Sequence, residues 1–156
     1  MSLNVEKILK EKGVWYQVIV LSNKAFTVDD VVKFSKRDVN PDEICKTIIL
    51  RGKKSGNKLA IFLRGNGRLD FSKVKKLSGE EVAIATAEEV KEASGVEPGA
   101  VCPFLLNVPL YVDIRVQTLG NINCGSGDHL YGLEFKFEDM DKVVSYKIED
   151  LAKSNQ

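Results

Sequence analysis

The sequence reads as a mixed α/β protein: a strongly curved, mixed sheet with helices packed around it. Three observations lead there. Helical and strand-like patterns alternate along the chain. Strand hairpins recur too often for a purely parallel βαβ arrangement. A length of 156 residues, with 44% hydrophobic and 29% charged side chains, suits one domain over residues 1–156 with one core.

The elements follow in order. Residues 3–12 form an amphipathic helix carrying Leu3, Ile8 and Leu9 on one side, and Gly13 stops it. Val14 to Leu21 make a first strand. Thr27-Val28-Asp29-Asp30 is a capping box opening a helix through Phe34. Ile44 to Leu50 is β-branched and apolar, as a buried strand is, and Lys58 to Arg64 returns from a turn at Gly52–Asn57. Gly65-Asn66-Gly67 closes that hairpin. Asp70 caps a helix to about Leu77, and Val82 to Ala85 is a short strand. Thr86-Ala87-Glu88-Glu89 is a second capping box, for a helix to about Ala93. After a Gly/Pro-rich loop from Gly95 to Pro103 come strands at Leu110–Asp113 and Leu130–Phe137, the latter preceded by a glycine loop. Val143 to Lys147 reads as a last strand and Ile148 to Lys153 as a closing helix.

Composition excludes several classes. No apolar run approaches the roughly 20 residues of a membrane helix. The opening Met1-Ser2-Leu3-Asn4-Val5-Glu6-Lys7 lacks the apolar centre of a signal peptide, so a cytoplasmic location is expected. Three cysteines, Cys45, Cys102 and Cys124, make no disulfide framework, and a zinc site would need all three to converge on the single histidine, His129. No metal is expected. The net charge of +1 hides an asymmetry. Residues 46–76 hold ten basic side chains and one acidic, a local +9; residues 77–156 hold six basic and fourteen acidic, a local −8. A basic segment inside a neutral chain fits a face for a polyanion, and it equally fits a solvated lysine-rich hairpin.

Four stretches are candidates for chemistry. Lys46 sits inside the apolar run Ile44-Cys45-Lys46-Thr47-Ile48-Ile49-Leu50. Its ammonium must find water or a partner, either by facing a cleft or by reaching solvent along its stem from an edge strand. Two glycines and two prolines between Gly95 and Pro103 fix an irregular backbone that can offer N–H groups to an anion, or simply connect two elements. The loop Asn123-Cys124-Gly125-Ser126-Gly127-Asp128-His129 again exposes backbone donors beside a histidine. Cys124 and His129 are also a conceivable thiol–imidazole pair, which would need a lowered thiol pKa. Neither glycine loop matches a nucleotide-phosphate fingerprint.

Taken in order, these stretches resemble the YbaK/ProX family of aminoacyl-tRNA deacylases, relatives of the editing domain inserted in bacterial prolyl-tRNA synthetases. The matching pieces are Ile44 to Leu50, Gly99-Ala100-Val101-Cys102-Pro103 with Phe104, Leu110-Tyr111-Val112-Asp113, Asn123 to His129, and Ile148-Glu149-Asp150-Leu151. The resemblance implies a barrel-like sheet surrounded by helices and no cofactor. It also implies hydrolysis of the ester joining an amino acid to the terminal adenosine of tRNA. It casts Lys46 as the anchor of the terminal phosphate or ribose. The Gly99–Pro103 backbone would orient the ester carbonyl and stabilise the oxyanion. Gly125, Ser126, Gly127 and His129 would line the aminoacyl pocket. Thr47, Cys102, Phe104 and Asp128 stand in the same motifs and are expected at the substrate. Members of the family are thought to use the substrate's own ribose hydroxyl to activate water, which suits a chain without an evident base–nucleophile pair. Members that separate alanine from proline carry asparagine after the lysine; here Thr47 departs from that pattern. The implied partner is the acceptor end of aminoacyl-tRNA, with a synthetase as a further candidate. A non-catalytic module binding tRNA or an adenosine-like ligand is the alternative function.

Overall fold

The computed structural model describes residues 3–154. Its helices are α1 (Asn4–Lys12), α2 (Val28–Phe34), α3 (Phe71–Ser78), α4 (Ala87–Ser94) and α5 (Met140–Val143). Its strands are β1 (Tyr16–Val20), β2 (Cys45–Gly52), β3 (Lys58–Arg64), β4 (Val82–Ile84), β5 (Leu110–Asp113), β6 (Asn121–Gly125), β7 (Tyr131–Lys136) and β8 (Lys147–Glu149).

The strands form a three-stranded antiparallel sheet, β1-β7-β6, and a five-stranded sheet, β4-β2-β3-β5-β8. The second is mixed: β2 is antiparallel to β3 and β4, while β5 is parallel to β3 and β8. A single parallel bridge between Ile44 and Asn123 joins the two sheets. One apolar core takes Cys45, Ile49 and Phe62 from the larger sheet, Ile122, Leu133 and Phe135 from the smaller, and Val5 and Leu9 from α1. The architecture is therefore barrel-like without closing.

A second core lies on the other face of β2 and β3, where Leu50, Ile61 and Leu63 meet Val74 of α3 and Leu151. Both faces of this hairpin are buried, which is why Ile48-Ile49-Leu50 and Ala60-Ile61-Phe62-Leu63 are apolar without alternation.

The helix starts obey local rules. Thr27 and Thr86 accept from the amides of Asp30 and Glu89 at 3.1 and 3.2 Å. Asp70 accepts from Ser72 and Lys73 at 3.0 and 3.3 Å. Gly13, in the left-handed region at φ 67°, ends α1.

The carboxyl-terminal part corrects two expectations. Val143 closes the short helix α5, and the strand begins only at Lys147. Ile148 to Lys153 is not a helix. Ile148 lies in β8, and Ala152 bridges to Leu69. The reason is Asp113, 1% exposed, whose carboxylate accepts from the amides of Leu151 and Ala152, both at 2.9 Å. A buried carboxylate must be supplied with donors. A helix would turn those same amides inward onto their own carbonyls. Arg115 completes the arrangement, pairing with Asp113 at 3.1 Å and Asp150 at 2.9 Å.

Replacing Asp113 by Ala strands the two buried amides of Leu151 and Ala152 and removes one of the two carboxylates paired with Arg115. We expect a loss of about 2–4 kcal/mol of unfolding free energy in urea titrations. Asp113→Asn, which keeps one acceptor, should lose less. A loss under about 1 kcal/mol for the alanine variant would contradict this account of the chain end.

Candidate active site

One edge of β2 is covered by β3 along its length. The other edge meets β6 through the bridge at Ile44, and β4 from Leu50 to Gly52, where the Ala85 amide also donates to the Ile49 carbonyl at 3.0 Å. Between these two contacts the edge is open, and a cavity of about 330 Å³ occupies the gap. Its walls are mostly apolar, with Lys46, Thr47, Asn123, Asp128 and His129 among the polar contributors.

Strand alternation sends Lys46 and Thr47 to opposite faces of β2. Lys46 lies at the strand end where the Gly65–Gly67 turn folds back. Its ammonium donates to the carbonyls of Gly65 at 3.1 Å and Gly67 at 2.8 Å. Two of three donors are thus spent, and one remains for a ligand. Burial, then the charge of Arg68, pulls its pKa below that of an ordinary lysine. Thr47 faces the main core, and its hydroxyl is buried without a hydrogen-bond partner.

Pro98, Gly99, Ala100 and Val101 also line the cavity. Gly99 has φ 103°, and a Cβ there would lie 2.9 Å from the Phe26 Cα, so only glycine fits. Among the described residues nothing accepts a hydrogen bond from the amides of Gly99, Ala100 or Val101. Cys102, Pro103 and Phe104 do not reach the cavity. Cys102 and Phe104 belong to the core, where Phe104 packs edge-on against Phe135 at 4.9 Å.

The glycine loop divides in the same way. Gly125 lines the cavity and lets two backbones touch, since a Cβ there would lie 2.4 Å from the Val101 carbonyl. Gly127 donates to Ala100 at 2.8 Å and lies outside the lining. Ser126 is buried and donates to the Tyr131 carbonyl at 2.7 Å, so it braces the loop. Asp128 lines the cavity and accepts from Leu130 at 2.9 Å. His129 Nε2 lies 3.0 Å from the Pro98 carbonyl. A carbonyl only accepts, so this contact puts the imidazole proton on Nε2.

The imagined thiol–imidazole pair is not assembled. Cys124 Sγ turns to the Gly125 carbonyl, His129 to Pro98, and burial pushes the Cys124 thiol well up. Burial also raises Cys45 and Cys102 to about 12.

Sequence reasoning passed over three contributors. Phe26, 52% exposed, lines the cavity and stacks against His129 with ring centroids 4.6 Å apart. Arg64 and Arg68 flank the Gly65–Gly67 turn, and Arg64 Nε is buried without a partner. Within the basic segment, Arg51 and Lys58 pair with Glu89, Lys53 and Lys75 with Glu81, and Lys73 with Asp150. No carboxylate among the described residues pairs with Lys46, Arg64 or Arg68.

The aminoacyl-tRNA editing domain model matches residues 22–143, most of the chain and every wall of this cavity except Ile19 and Leu21. The chain belongs to the aminoacyl-tRNA editing domain family. Two relatives are proline–tRNA ligases: that of Persephonella marina is 31% identical over 106 residues, and that of Bacillus pumilus 33% over 108. Each alignment takes in 67% of this chain but 18% of the ligase, so the editing domain corresponds to under a fifth of those proteins. Among solved structures, the hypothetical protein APE2540 superposes with a TM-score of 0.85 at 27% identity, covering 96% of this chain and 99% of its own. A candidate trans-editing enzyme for prolyl tRNA synthetase shares the fold, with a TM-score of 0.81, 23% identity, and coverage of 96% and 95%.

The three buried thiols should be inert in the native editing domain. Ellman's reagent should titrate fewer than one thiol per chain over minutes, and all three after unfolding in guanidinium. A fast-reacting native thiol would return Cys124 to the list of nucleophiles.

Proposed function

We propose that this chain, as one editing unit, is a trans-acting deacylase. It hydrolyses the ester between a wrongly attached amino acid and the terminal ribose of tRNA, in the cytoplasm. The observation that carries this reading is the row of unpartnered amides, Gly99 to Val101, on the wall of a cavity whose rim carries Lys46. The likeness to a candidate trans-editing enzyme and to a region of proline–tRNA ligases supports it.

In this reading the acceptor end lies across the Gly65–Gly67 turn. Lys46, with Arg64 and Arg68 beside it, takes the terminal phosphate, and the aminoacyl group enters the cavity. Water adds to the ester carbonyl, and the negative charge forming on oxygen is met by amides of Gly99 to Val101. Pro103 has no N–H to give and Cys102 turns away, so the donors are the first three residues of the Gly99–Pro103 motif. The carbon–oxygen bond to ribose then breaks. The ribose oxygen leaves with a proton, and the amino acid departs as its carboxylate. Preorganised donors of this kind are worth about 10²–10³ in rate each. An aminoacyl ester is already activated, so positioning and oxyanion stabilisation supply much of the acceleration. His129, with its proton directed at Pro98, orients substrate. The neighbouring ribose hydroxyl of the substrate assists water.

One observation favours a second reading. Among the described residues no nucleophile and base face each other in the cavity. A non-catalytic module holding the acceptor end, alone or beside a synthetase, needs neither.

A panel of mischarged tRNAs separates the two. The deacylase should release at least one amino acid, and Lys46→Ala should slow release by about 10²-fold or more. Salt-dependent tRNA binding with every amino acid retained would leave the binding module. Arg68→Ala should weaken tRNA binding and reduce the salt slope of log K by about one. The lowered pKa of Lys46 gives a pH signature. Its charge is lost as pH rises through a value below that of an ordinary lysine. The advantage of wild type over Lys46→Met in tRNA affinity should therefore shrink as pH rises, and do so at lower pH than an ordinary lysine would dictate.

A further inference from the structure

We propose that the stacked Phe26–His129 pair is the binding platform for the terminal nucleobase of the substrate. The inference rests on the reading of this cavity as the acceptor-end site and assigns a part of it that the motifs leave out.

Phe26 is 52% exposed although it is a large apolar ring, and it is held there from three sides. Its own amide donates to the Asp30 carboxylate at 3.0 Å, inside the cap of α2. The preceding Ala25 donates to the His129 carbonyl at 2.9 Å. Gly99 presses against its backbone so closely that no side chain fits between. The backbone that carries the ring is therefore fixed, which leaves less ordering to be lost when a ligand lands.

Its partner is fixed as well. His129 is tilted 37° to Phe26 with centroids 4.6 Å apart, and its Nε2 is occupied by the Pro98 carbonyl. The two rings form one aromatic surface at the cavity mouth. Ile84, 63% exposed, lines the same cavity and adds apolar area.

An exposed phenylalanine backed by a half-buried histidine, both lining a cavity, fits a flat, polarisable ring. The charge nearby decides which kind. Lys46 lines the same cavity, Arg64 and Arg68 flank the turn that holds it, and among the described residues no carboxylate pairs with any of the three, so the ring that fits is one bearing a phosphate: a nucleotide. Stacking on aromatic side chains is tolerant of base identity, because every base has a π-face. A tRNA acceptor end always finishes in the same adenosine, so no hydrogen-bond code for the base is needed here.

His129 is the only histidine in the chain, so its ring protons give isolated NMR signals. Adenosine 5′-monophosphate added to the wild-type protein should shift the His129 ring signals upfield in a saturable manner. Ribose 5-phosphate, which has the phosphate but no base, should leave them close to their starting positions. Phe26→Ala should weaken binding of the nucleotide by about tenfold, and Phe26→Trp should restore it. A nucleotide that fails to move His129, or shifts matched by ribose 5-phosphate, would overturn the proposal. So would a Phe26→Ala variant that is folded by circular dichroism and binds the nucleotide like wild type. This readout needs no turnover. A protein that stacks the nucleotide yet hydrolyses nothing keeps the platform and loses the deacylase; a protein that hydrolyses without stacking does the reverse.

Discussion

Strand β2 offers one edge to two neighbours, which take opposite ends of it. Strand β6 bridges at Ile44, β4 pairs from Leu50 onward with Ala85 reaching the Ile49 carbonyl, and among the described residues no strand pairs with this edge from Lys46 to Ile48. The remainder of the site is a response to that gap. Loop 98–101 and the start of the 125–129 loop wall it, and they can do so only backbone against backbone. At Gly125 a Cβ would lie 2.4 Å from the Val101 carbonyl, and at Gly99 2.9 Å from Phe26 Cα. Glycine at these two positions lets the walls approach each other, and the approach turns peptide groups toward the cavity in place of side chains.

The treatment of polar groups differs sharply between the two ends of the molecule. At Asp113 every demand is met: the buried carboxylate takes three amides and a guanidinium. Around the cavity the demands are left open. Thr47 Oγ1, Arg64 Nε and Asn123 Oδ1 are buried without partners, and three successive amides from Gly99 have none among the described residues. Each such group costs about 1–3 kcal/mol if nothing ever satisfies it. One chain satisfies its polar groups with care in one place and leaves several bare in another. Incomplete hydrogen bonding of this kind is tolerated where function needs it.

Much of this was legible in the sequence, where the governing physics is local. Thr27, Thr86 and Asp70 announce their helices because a cap involves residues two or three apart. The β2–β3 hairpin and the mixed sheet are written in apolar runs and turns. The carboxyl-terminal segment misled because the spacing of Ile148, Leu151 and Ala152 fits a helix, while a buried carboxylate some 40 residues earlier claims the amides. The site motif was legible as a place more than as a set of contacts. Gly99, Gly125, Asp128 and His129 reach the cavity; Cys102, Pro103, Phe104, Ser126 and Gly127 shape the backbone that forms it. Phe26 escaped notice because exposure has no local signature: an outward phenylalanine looks like a core one until the fold is known.

The charge asymmetry changes meaning once the chain is folded. Five of the ten cations in the +9 segment pair with acidic groups drawn from the −8 segment, through Glu81, Glu89 and Asp150. Such surface pairs contribute little to stability. Their effect is on the shape of the field. Of the five cations left without an ion pair among the described residues, Lys54 and Lys76 lie elsewhere, and Lys46, Arg64 and Arg68 gather around the Gly65–Gly67 turn. Arg68 already works against the protonation of Lys46, so these like charges are held together at a cost. Under the proposed reading, an anion arriving at the turn would relieve that repulsion, while the protein as a whole stays close to neutral at +1.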